Sequence, residues 1–323
     1  MSRSSLKYTI SKNKTRVKHS VIENQQVLSR NWKKHSINWY PGHMLKAKKQ
    51  LIKQLKRIDI VLEMRDARIP ITSINRDFEE IIQEKNRILL FNKSCLADQE
   101  TTKKWEAIFN NYKIPFLFID AVNKHDLNKI IPLCSKIMEE KWSVFEKRGI
   151  RHPSLKLLIA GIPNVGKSSL INSLSQRKAT KTGPIPGITR HQDWIKLDKN
   201  VELLDTPGIL WPKIENFDEG MRLSITGAIK DSIVGTSLLC DYLLHLLVQK
   251  VPKQLQQSYK LNPRDFNLIP ADLINKIAEK RGFLKAGGEL DRIRTENLIL
   301  RDFRMGKLGR ISFDLPETDG IFS

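Results

Sequence analysis

The sequence lacks the long apolar run that a membrane-spanning helix requires. In 323 residues no hydrophobic stretch approaches the ~18 residues needed to cross a bilayer. Cysteines are also scarce: Cys95, Cys134 and Cys240 are scattered and odd in number, so they form neither a metal-binding spacing nor a disulfide framework. This usage is typical of a reducing compartment. With 40% hydrophobic residues, the chain still has enough apolar material for a folded core.

Acidic residues are almost absent from positions 1–57, where fifteen Lys or Arg accompany the single acid Glu23. The whole chain has a formal net charge of +21. A positive block of this size indicates a polyanionic partner, and RNA or DNA fits best. Two other interpretations stay open. The block is a solubilising tail, or residues 1–36, rich in Ser and basic residues, are a mitochondrial or plastid transit peptide. Without such targeting, the expected compartment is the cytoplasm.

Short apolar runs alternate with helical patterns in the first two thirds of the chain. This alternation predicts a parallel sheet covered by helices. The predicted strands are 59–64, 87–91, 115–120, 155–161 and 201–205, and the predicted helices are 45–57, 73–85, 99–111, 126–147 and 167–176. After about Trp211 the amino-acid composition changes. Residues 219–259 and 268–305 are rich in Leu, Ile, Lys and Glu, which indicates an all-helical region.

We therefore predict three parts: a basic arm at 1–36, an α/β domain at 37–212 and a smaller all-helical domain at 213–323. The helical part has no catalytic signature. Its basic residues indicate either RNA contact or a solvated helix face. They are Lys280, Arg281, Arg292, Arg294, Arg301, Arg304, Lys307 and Arg310.

The strongest motif is GIPNVGKSS, from Gly161 to Ser169, which follows an apolar strand and precedes a helical pattern. It matches the P-loop G-x-x-x-x-G-K-[ST], in which backbone N–H groups surround phosphates. Lys167 would contact the β- and γ-phosphates, and the Ser168 hydroxyl would bind Mg²⁺. The predicted nucleotide-binding residues here are Asn164, Val165, Gly166, Lys167, Ser168 and Ser169.

A second motif, VELLDTPG, supplies the partners that a P-loop needs. Asp205 ends an apolar strand and would hold Mg²⁺, while the Gly208 N–H would face the γ-phosphate. Between the two motifs, TGPIPGITR contains Thr189, the expected second hydroxyl on the Mg²⁺ side. These residues in this order predict a nucleoside-triphosphate site with Mg²⁺.

The stretch FNKSCLAD, from Phe91 to Asp98, resembles the Asn-Lys-x-Asp loop with which GTP-binding proteins recognise guanine. It precedes the P-loop, whereas in ordinary GTPases it follows. Both loops lie at the carboxyl edge of one sheet, so their spatial order matters and their chain order does not. A circularly permuted P-loop GTPase domain explains this order. Asn92 and Lys93 are then nucleotide-binding residues.

The chain resembles the circularly permuted ribosome biogenesis GTPase A (YlqF-type) family. The resemblance covers roughly residues 37–315 and rests on WYPGHMLKAKKQ, DIVLEMRDARIP, FNKS, GIPNVGKSSLIN, PGITR, LLDTPGILWPK, RLSITGAIKD, KRGFLKAGGELD and LILRDFRMGKLGRIS. It implies a GTPase that binds the large ribosomal subunit precursor, acts late in its assembly and contacts rRNA through its helical domain. We expect a monomer away from the ribosome and no membrane association.

Hydrolysis needs a residue that orients the attacking water, and the position after the Asp-x-x-Gly turn is Ile209 instead of Gln. The resemblance points to His43 as that residue, and to Asn164 as a ligand of K⁺ beside the phosphates. Lys167 and Thr189 complete the predicted catalytic set. From the residues alone, His43 is equally a helix cap or an RNA contact.

The base loop departs from the pattern of the family. Cys95 replaces the Asp that accepts hydrogen bonds from guanine, and a thiol is a weak acceptor. Asp120-Ala121 replaces the usual Ser-Ala contact to the guanine oxygen. Reduced guanine selectivity is therefore expected, unless Asp98 or Asp120 compensates. The altered base loop also leaves a second function open, namely an RNA-binding scaffold that has a nucleotide site but hydrolyses little GTP.

Overall fold

The computed structural model describes residues 37–38, 51–82, 85–175, 193–206, 213–214 and 216–317. They belong to two compact units. The sheet unit holds the described residues from 51 to 206 together with 226–230 and 310–317, and the helical unit holds those of 37–38, 213–225 and 231–309. Across these described ranges, no helix combines the length and the apolarity needed to cross a membrane.

The sheet unit is built around six strands. Besides the short strand β1 (Ile37–Asn38) of the helical unit, the strands are β2 (Ile60–Asp66), β3 (Asn86–Asn92), β4 (Phe116–Phe118), β5 (Leu155–Gly161), β6 (Asp193–Asp198) and β7 (Val201–Asp205). Their order in the sheet is β4-β3-β2-β5-β7-β6. All neighbours are parallel except β6 and β7, which are antiparallel.

Central strands β2 and β5 join the two halves of the sheet. All seven residues of β2 are buried, as expected for a parallel strand with both faces covered. The segment 60–118 forms one half of the sheet and 155–205 forms the other. The predicted α/β class is confirmed, and the P-loop strand lies in the middle of the sheet although it comes late in the chain.

Besides the helical residues 51–55, the described part of the sheet unit contains the helices α1 (Arg76–Ile82), α2 (Gln99–Asn111), α3 (Ile130–Lys147) and α4 (Lys167–Leu174). On α2, Trp105 and Phe109 are four residues apart, share one helix face and are both buried. The Phe109 ring stacks on Phe91 of β3, with 4.6 Å between the ring centroids. This aromatic contact holds α2 against the strand that leads into the base loop.

The five predicted strands are all present, with ends shifted by at most two residues. Strand β6 was missed, because its sequence DWIKLD has neither a continuous apolar run nor a strict alternation of polar and apolar residues. The predicted helix 126–147 begins as a 3₁₀ turn at 127–129 and becomes α-helical at Ile130. Residues 51–55 of the predicted helix 45–57 are helical, and its first six residues lie outside the described ranges.

The helical unit is arranged around one central helix. Its elements are β8 (Lys213–Ile214), α5 (Phe217–Ile225), α6 (Asp231–Val234), α7 (Thr236–Lys250), α8 (Pro252–Tyr259), α9 (Pro270–Arg281) and α10 (Arg292–Arg304), and β8 pairs antiparallel with β1. Helix α7 packs against each of the other five helices described in this unit. Arg304 donates to both carboxylate oxygens of Asp231, at 2.6 and 2.9 Å, so this basic residue has a structural role.

The domain boundaries at 36/37 and 212/213 stay a prediction. The two compact units assign three stretches of residues differently from the predicted domains. Residues 37–38 pair with 213–214 in the helical unit. Residues 226–230 and 310–317 belong to the sheet unit. The reason for the last difference is direct hydrogen bonding: Ile311 N donates to Leu96 O and Phe313 N donates to Arg68 O, both at 2.8 Å.

Candidate active site

The phosphate loop, residues 161–169, connects β5 to the start of α4. Gly166 has a φ of +107°, and a Cβ there would lie 2.2 Å from the Asn92 Nδ2 atom. Only glycine accommodates both the backbone conformation and this close approach. The glycine of the motif thus has two functions, since it turns the loop and makes room for the amide of Asn92.

Lys167 lies at the centre of this loop and is 6% exposed. Its Nζ atom donates to the carbonyl oxygens of Gly161 and Ile162, both at 2.9 Å. Burial lowers the pKa of Lys167 to about 8, although the nearby Asp205 carboxylate acts in the opposite direction. A buried cation beside backbone N–H groups is the arrangement that binds phosphate.

The base loop, residues 91–98, is bonded to the phosphate loop. At the end of β3, Asn92 donates from Nδ2 to Val165 O at 2.8 Å and accepts at Oδ1 from Ala121 N at 2.9 Å. The Nζ atom of Lys93 donates to Asn164 O at 2.8 Å. The contacts to Val165 and Asn164 span 73 and 71 residues of sequence, so the fold brings together the two motifs that the permuted chain order separates.

Sequence reasoning missed Asp66, which ends β2 between the two loops. Its carboxylate accepts from Lys93 Nζ at 3.0 Å and from Arg68 at 2.7 and 2.9 Å. Burial alone would raise the pKa of Asp66, but Arg68 and Lys93 together hold it well below its ordinary value. The available signal was the charged run Arg65 to Arg68 directly after a buried strand. Asp66 thus fixes the position of Lys93.

Ser168 and Asp205 are the described residues expected to bind Mg²⁺. Ser168 is in the first turn of α4, and Asp205 ends β7, the strand next to β5. A hydroxyl and a buried carboxylate are hard oxygen donors, which is the set that Mg²⁺ prefers. No cluster of three His, Cys, Asp or Glu among the described residues offers a competing metal site. Three predicted site residues, His43, Thr189 and Gly208, lie outside the described ranges.

Asn164, the predicted K⁺ ligand, has a left-handed backbone with φ +55°. Its side-chain Nδ2 donates to Gly227 O at 2.8 Å, in the segment 226–230 that belongs to the sheet unit. Val165 is buried and contributes its carbonyl to Asn92, while Ser169 is half-buried on α4. Sequence reasoning did not anticipate Gly227, because no local pattern connects it with the phosphate loop.

The acids near the altered position of the base loop have different roles. Asp98 caps α2, since its Oδ1 accepts from Thr101 N at 2.8 Å and from Thr101 Oγ1 at 2.7 Å. Asp120 is buried two residues beyond β4 and lies close to Cys95. Of the two compensating acids considered from the sequence, Asp98 is occupied as a helix cap.

The C-terminal segment, residues 310–317, supports the base loop from outside. Arg310 donates to the carbonyl oxygens of Ala97 at 2.8 Å and Ser94 at 2.9 Å. Ser312 Oγ accepts from Asp98 N at 3.0 Å. Both links span more than 210 residues of sequence. Arg310, which the sequence suggested as an RNA contact, therefore positions the loop expected to contact the base.

Comparison with known proteins identifies related chains. Residues 156–276 match the family model described as 50S ribosome-binding GTPase. Ribosome biogenesis GTPase A from Bacillus licheniformis is 45% identical over 284 residues, covering 87% of this chain and 99% of that protein. The mitochondrial ribosome-associated GTPase 1 of Xenopus tropicalis is 31% identical over 86% of this chain and 94% of its own.

Solved structures agree with these relatives. The crystal structure of GNP-bound YlqF from T. maritima aligns with a TM-score of 0.57 at 27% identity, covering 84% of this chain and 99% of that chain. The phosphate loop, the base loop bonded to it and the permuted strand order thus occur in a chain that closely matches known relatives over nearly their whole length. The chain belongs to the ribosome biogenesis GTPase A family.

Proposed function

We propose that this chain binds GTP and Mg²⁺ at the carboxyl edge of its sheet, and that it hydrolyses GTP on the precursor of the large ribosomal subunit, late in assembly. As a member of its family, it is a GTPase of ribosome assembly. The observation that carries the proposal is the direct bonding of the base loop to the phosphate loop, through Asn92 and Val165 and through Lys93 and Asn164.

The residues of the phosphate loop suit the chemistry of phosphoryl transfer, which depends on positioning and charge stabilisation. Backbone N–H groups of 164–169 would surround the phosphates, and Lys167 would exchange its two carbonyl contacts for phosphate oxygens. Ser168, Asp205 and Thr189 would hold Mg²⁺, which when bound offsets charge on the β- and γ-phosphates. Gly208 would donate its N–H to the γ-phosphate.

Water orientation and K⁺ binding are part of the same proposal. Ile209 follows the Asp-Thr-Pro-Gly turn and cannot orient water, and we assign this role to His43, to which the family resemblance points. Asn164 would bind K⁺ through its Oδ1 atom while Nδ2 donates to Gly227 O, and the ion would offset developing negative charge without an arginine finger. Basic residues of the arm and of the helical unit would contact rRNA, and the protein would be monomeric away from the particle.

The names of the relatives support the proposal that this activity takes place on ribosomal particles. The Bacillus relative is named for ribosome biogenesis, and the Xenopus relative for association with the mitochondrial ribosome. The compartment is therefore proposed to be one in which ribosomes are assembled: the cytoplasm, or an organelle if residues 1–36 direct import.

Turnover measured with and without large-subunit particles tests the proposal. Lys167→Ala should abolish nucleotide binding, because it removes the buried cation of the phosphate loop. His43→Ala should leave GTP affinity nearly unchanged and lower particle-stimulated turnover by about 100-fold or more. Repeating the assay with Na⁺ in place of K⁺ tests the proposed ion, with slower turnover expected.

His152→Ala is the matched control, because His152 precedes β5 and lies at the opposite edge of the sheet from the phosphate loop. It should hydrolyse GTP like the wild type. Normal turnover by His43→Ala on the particle would remove His43 from the mechanism. A wild type that binds GTP on the particle without hydrolysing it would favour the scaffold function.

A further inference from the structure

The base loop has no acid at the position that normally contacts guanine, yet a buried acid lies directly behind that position. We propose that Asp120 supplies the negative charge for guanine recognition and acts through the Cys95 thiol, so that the two residues together replace the missing carboxylate. This assignment rests on the proposed binding of GTP. It makes Asp120 a positioning residue and Cys95 the group that contacts the base.

Asp120 is held firmly in place. Its Oδ1 accepts from the backbone N–H groups of Val122 at 2.9 Å and Asn123 at 3.0 Å. Its Oδ2 accepts from Asn123 Nδ2 at 2.7 Å. The same Nδ2 atom lies 3.8 Å from the Cys95 Sγ atom, so the amide of Asn123 links the carboxylate to the thiol. The carboxylate thus has a fixed position next to Cys95.

Exposure determines which of the two residues a base would contact. Asp120 is 3% exposed, whereas Cys95 is exposed at the surface of the loop. A guanine at the base loop would therefore contact the sulfur and not the carboxylate. The charge would act from behind the sulfur, in surroundings partly shielded from water, where electrostatic interactions are stronger.

The protonation states suit this arrangement. Partial burial and the hydrogen bond to Asp120 raise the pKa of Cys95 to about 11, so the thiol keeps its proton at neutral pH. Burial works against ionisation of Asp120, but hydrogen bonds from Asn123, Cys95 and Val122 bring its pKa below the ordinary value. In the proposed complex the thiol would donate its proton to the carboxylate, and the sulfur, which also accepts from Asn123 Nδ2 at 3.8 Å, would accept from guanine N1–H and N2–H₂.

The alternatives make different predictions. A neutral thiol alone is a weak acceptor and would distinguish guanine from hypoxanthine poorly. Asp98 is already bonded to Thr101 as the cap of α2. A thiol that donates a hydrogen bond to an ionised carboxylate is polarised, and its sulfur is a stronger acceptor. Hypoxanthine lacks the amino group that would donate the second hydrogen bond to this sulfur. Preference for guanine over hypoxanthine is thus the property that tests Asp120.

Moving the carboxylate from position 120 to position 95 is the sharpest test. Cys95→Asp alone would place a second carboxylate against Asp120, and two like charges in contact cannot both ionise readily. Cys95→Asp combined with Asp120→Asn leaves one carboxylate at the base and an amide behind it. The single variant should therefore show a lower preference for guanine than the double variant.

The measurement is competition of GDP, IDP and ADP against a fluorescent GDP analogue on the full chain. Wild type should prefer GDP to IDP by about tenfold, the upper end of the range for one hydrogen bond between neutral groups, because the Asp120 charge polarises the sulfur. Asp120→Asn should reduce this ratio to about twofold or less. Asp126→Asn is the matched control, because it makes the same chemical change in the same loop at an acid paired with Lys129. It should keep the wild-type ratio.

A second pair of variants covers the case in which Asp120→Asn does not fold. Cys95→Ser retains a hydroxyl that donates to Asp120 and accepts from the base, and should keep the preference. Cys95→Ala should lose it. Equal affinity of wild type for GDP and IDP would overturn the assignment. So would an unchanged ratio in Asp120→Asn or Cys95→Ala, or a Cys95→Asp variant that matches the double variant.

Failure of the proposed function would look different. If wild type bound none of the three nucleotides, or bound them unchanged after Lys167→Ala, the phosphate site itself would be wrong. If the protein binds all three nucleotides but does not prefer GDP to IDP, only the assignment of Asp120 and Cys95 in the base loop is wrong.

Discussion

At the scale of single residues, the ionisation of Lys167 couples nucleotide binding to pH. It is buried with two carbonyl contacts, and its pKa is lowered to about 8 by loss of hydration. Bound phosphates would surround the ammonium with negative charge and raise this pKa again. Nucleotide binding is therefore coupled to proton uptake wherever the pH exceeds the pKa of the free protein.

We predict that nucleotide affinity is insensitive to this group below about pH 8 and falls above it. The sign follows from the lowered pKa: below it Lys167 is already charged before binding, and above it a proton must be taken up. The loss approaches tenfold per pH unit, which is about 1.4 kcal/mol. Calorimetry of GDP binding from pH 7 to 10, in buffers of different ionisation enthalpy, measures both the affinity and the protons bound.

Lys167→Arg separates this effect from titration of the guanine base at high pH. The guanidinium stays charged throughout the range, so any remaining pH dependence in that variant belongs to the base or to other groups. If wild type and Lys167→Arg lose affinity in parallel above pH 8, Lys167 is charged in the free protein and the prediction is wrong.

At the scale of elements, the C-terminal segment 310–317 is the least expected part of the fold. Asp314 is fully buried, and its carboxylate accepts from Ile71 N, Thr72 N and Thr72 Oγ1, each at 2.7 Å. These contacts span more than 240 residues and attach the segment to the loop after β2. The same segment supports the base loop through Arg310.

Asp314→Ala should lower the free energy of unfolding by about 3 kcal/mol, because two buried donors and one part-buried donor lose their acceptor and each buried donor costs about 1–3 kcal/mol with partial relaxation. Urea denaturation with an unchanged m-value measures this loss.

The control lies in the same segment. Glu317 forms an exposed pair with Lys104, and exposed pairs contribute little, so Glu317→Ala should leave the urea midpoint nearly unchanged. Equal midpoints for wild type and Asp314→Ala would show that the segment does not hold the sheet unit together.

At the scale of the whole molecule, the dominant property is its positive charge. Nine Lys or Arg and the single acid Glu23 lie in residues 1–36, ahead of every predicted strand of the sheet. Positive groups that neutralise phosphates release counterions, and each such contact contributes about 0.7–0.9 to the slope of log affinity against log salt.

Deleting residues 1–36 should therefore weaken binding to large-subunit particles and make this salt slope shallower by several units. Nucleotide affinity of the isolated protein should not change, because the arm precedes the residues of both nucleotide loops. Sedimentation of particles over a range of KCl concentrations gives the slope.

A full-length variant with these nine Lys and Arg replaced by Gln controls for the length of the arm. It should behave like the deletion. An unchanged slope in both variants would assign the arm to targeting or to solubility.

The local chemistry of phosphate binding is determined by the sequence itself. Backbone approach to phosphates needs glycine, Lys and a hydroxyl at fixed short spacing, so Gly161 to Ser169 can be recognised without the fold. The same holds for the central strands, whose unbroken apolar runs follow from burial on both faces. Strand β6 shows the limit: at a sheet edge its sequence DWIKLD has neither an apolar run nor a strict alternation, so the pattern gives a weaker signal.

Only the tertiary structure could decide which distant residues meet. The sequence contains Asn92, Asp120 and Arg310 as three unrelated polar residues. The fold bonds the first to the phosphate loop, places the second behind Cys95 and attaches the third to the base loop. These contacts depend on strand order and on the return of the C-terminal segment, which are global properties that no local spacing encodes. For this reason the sequence determined the phosphate chemistry of the protein, and the tertiary structure decided how its base loop is built.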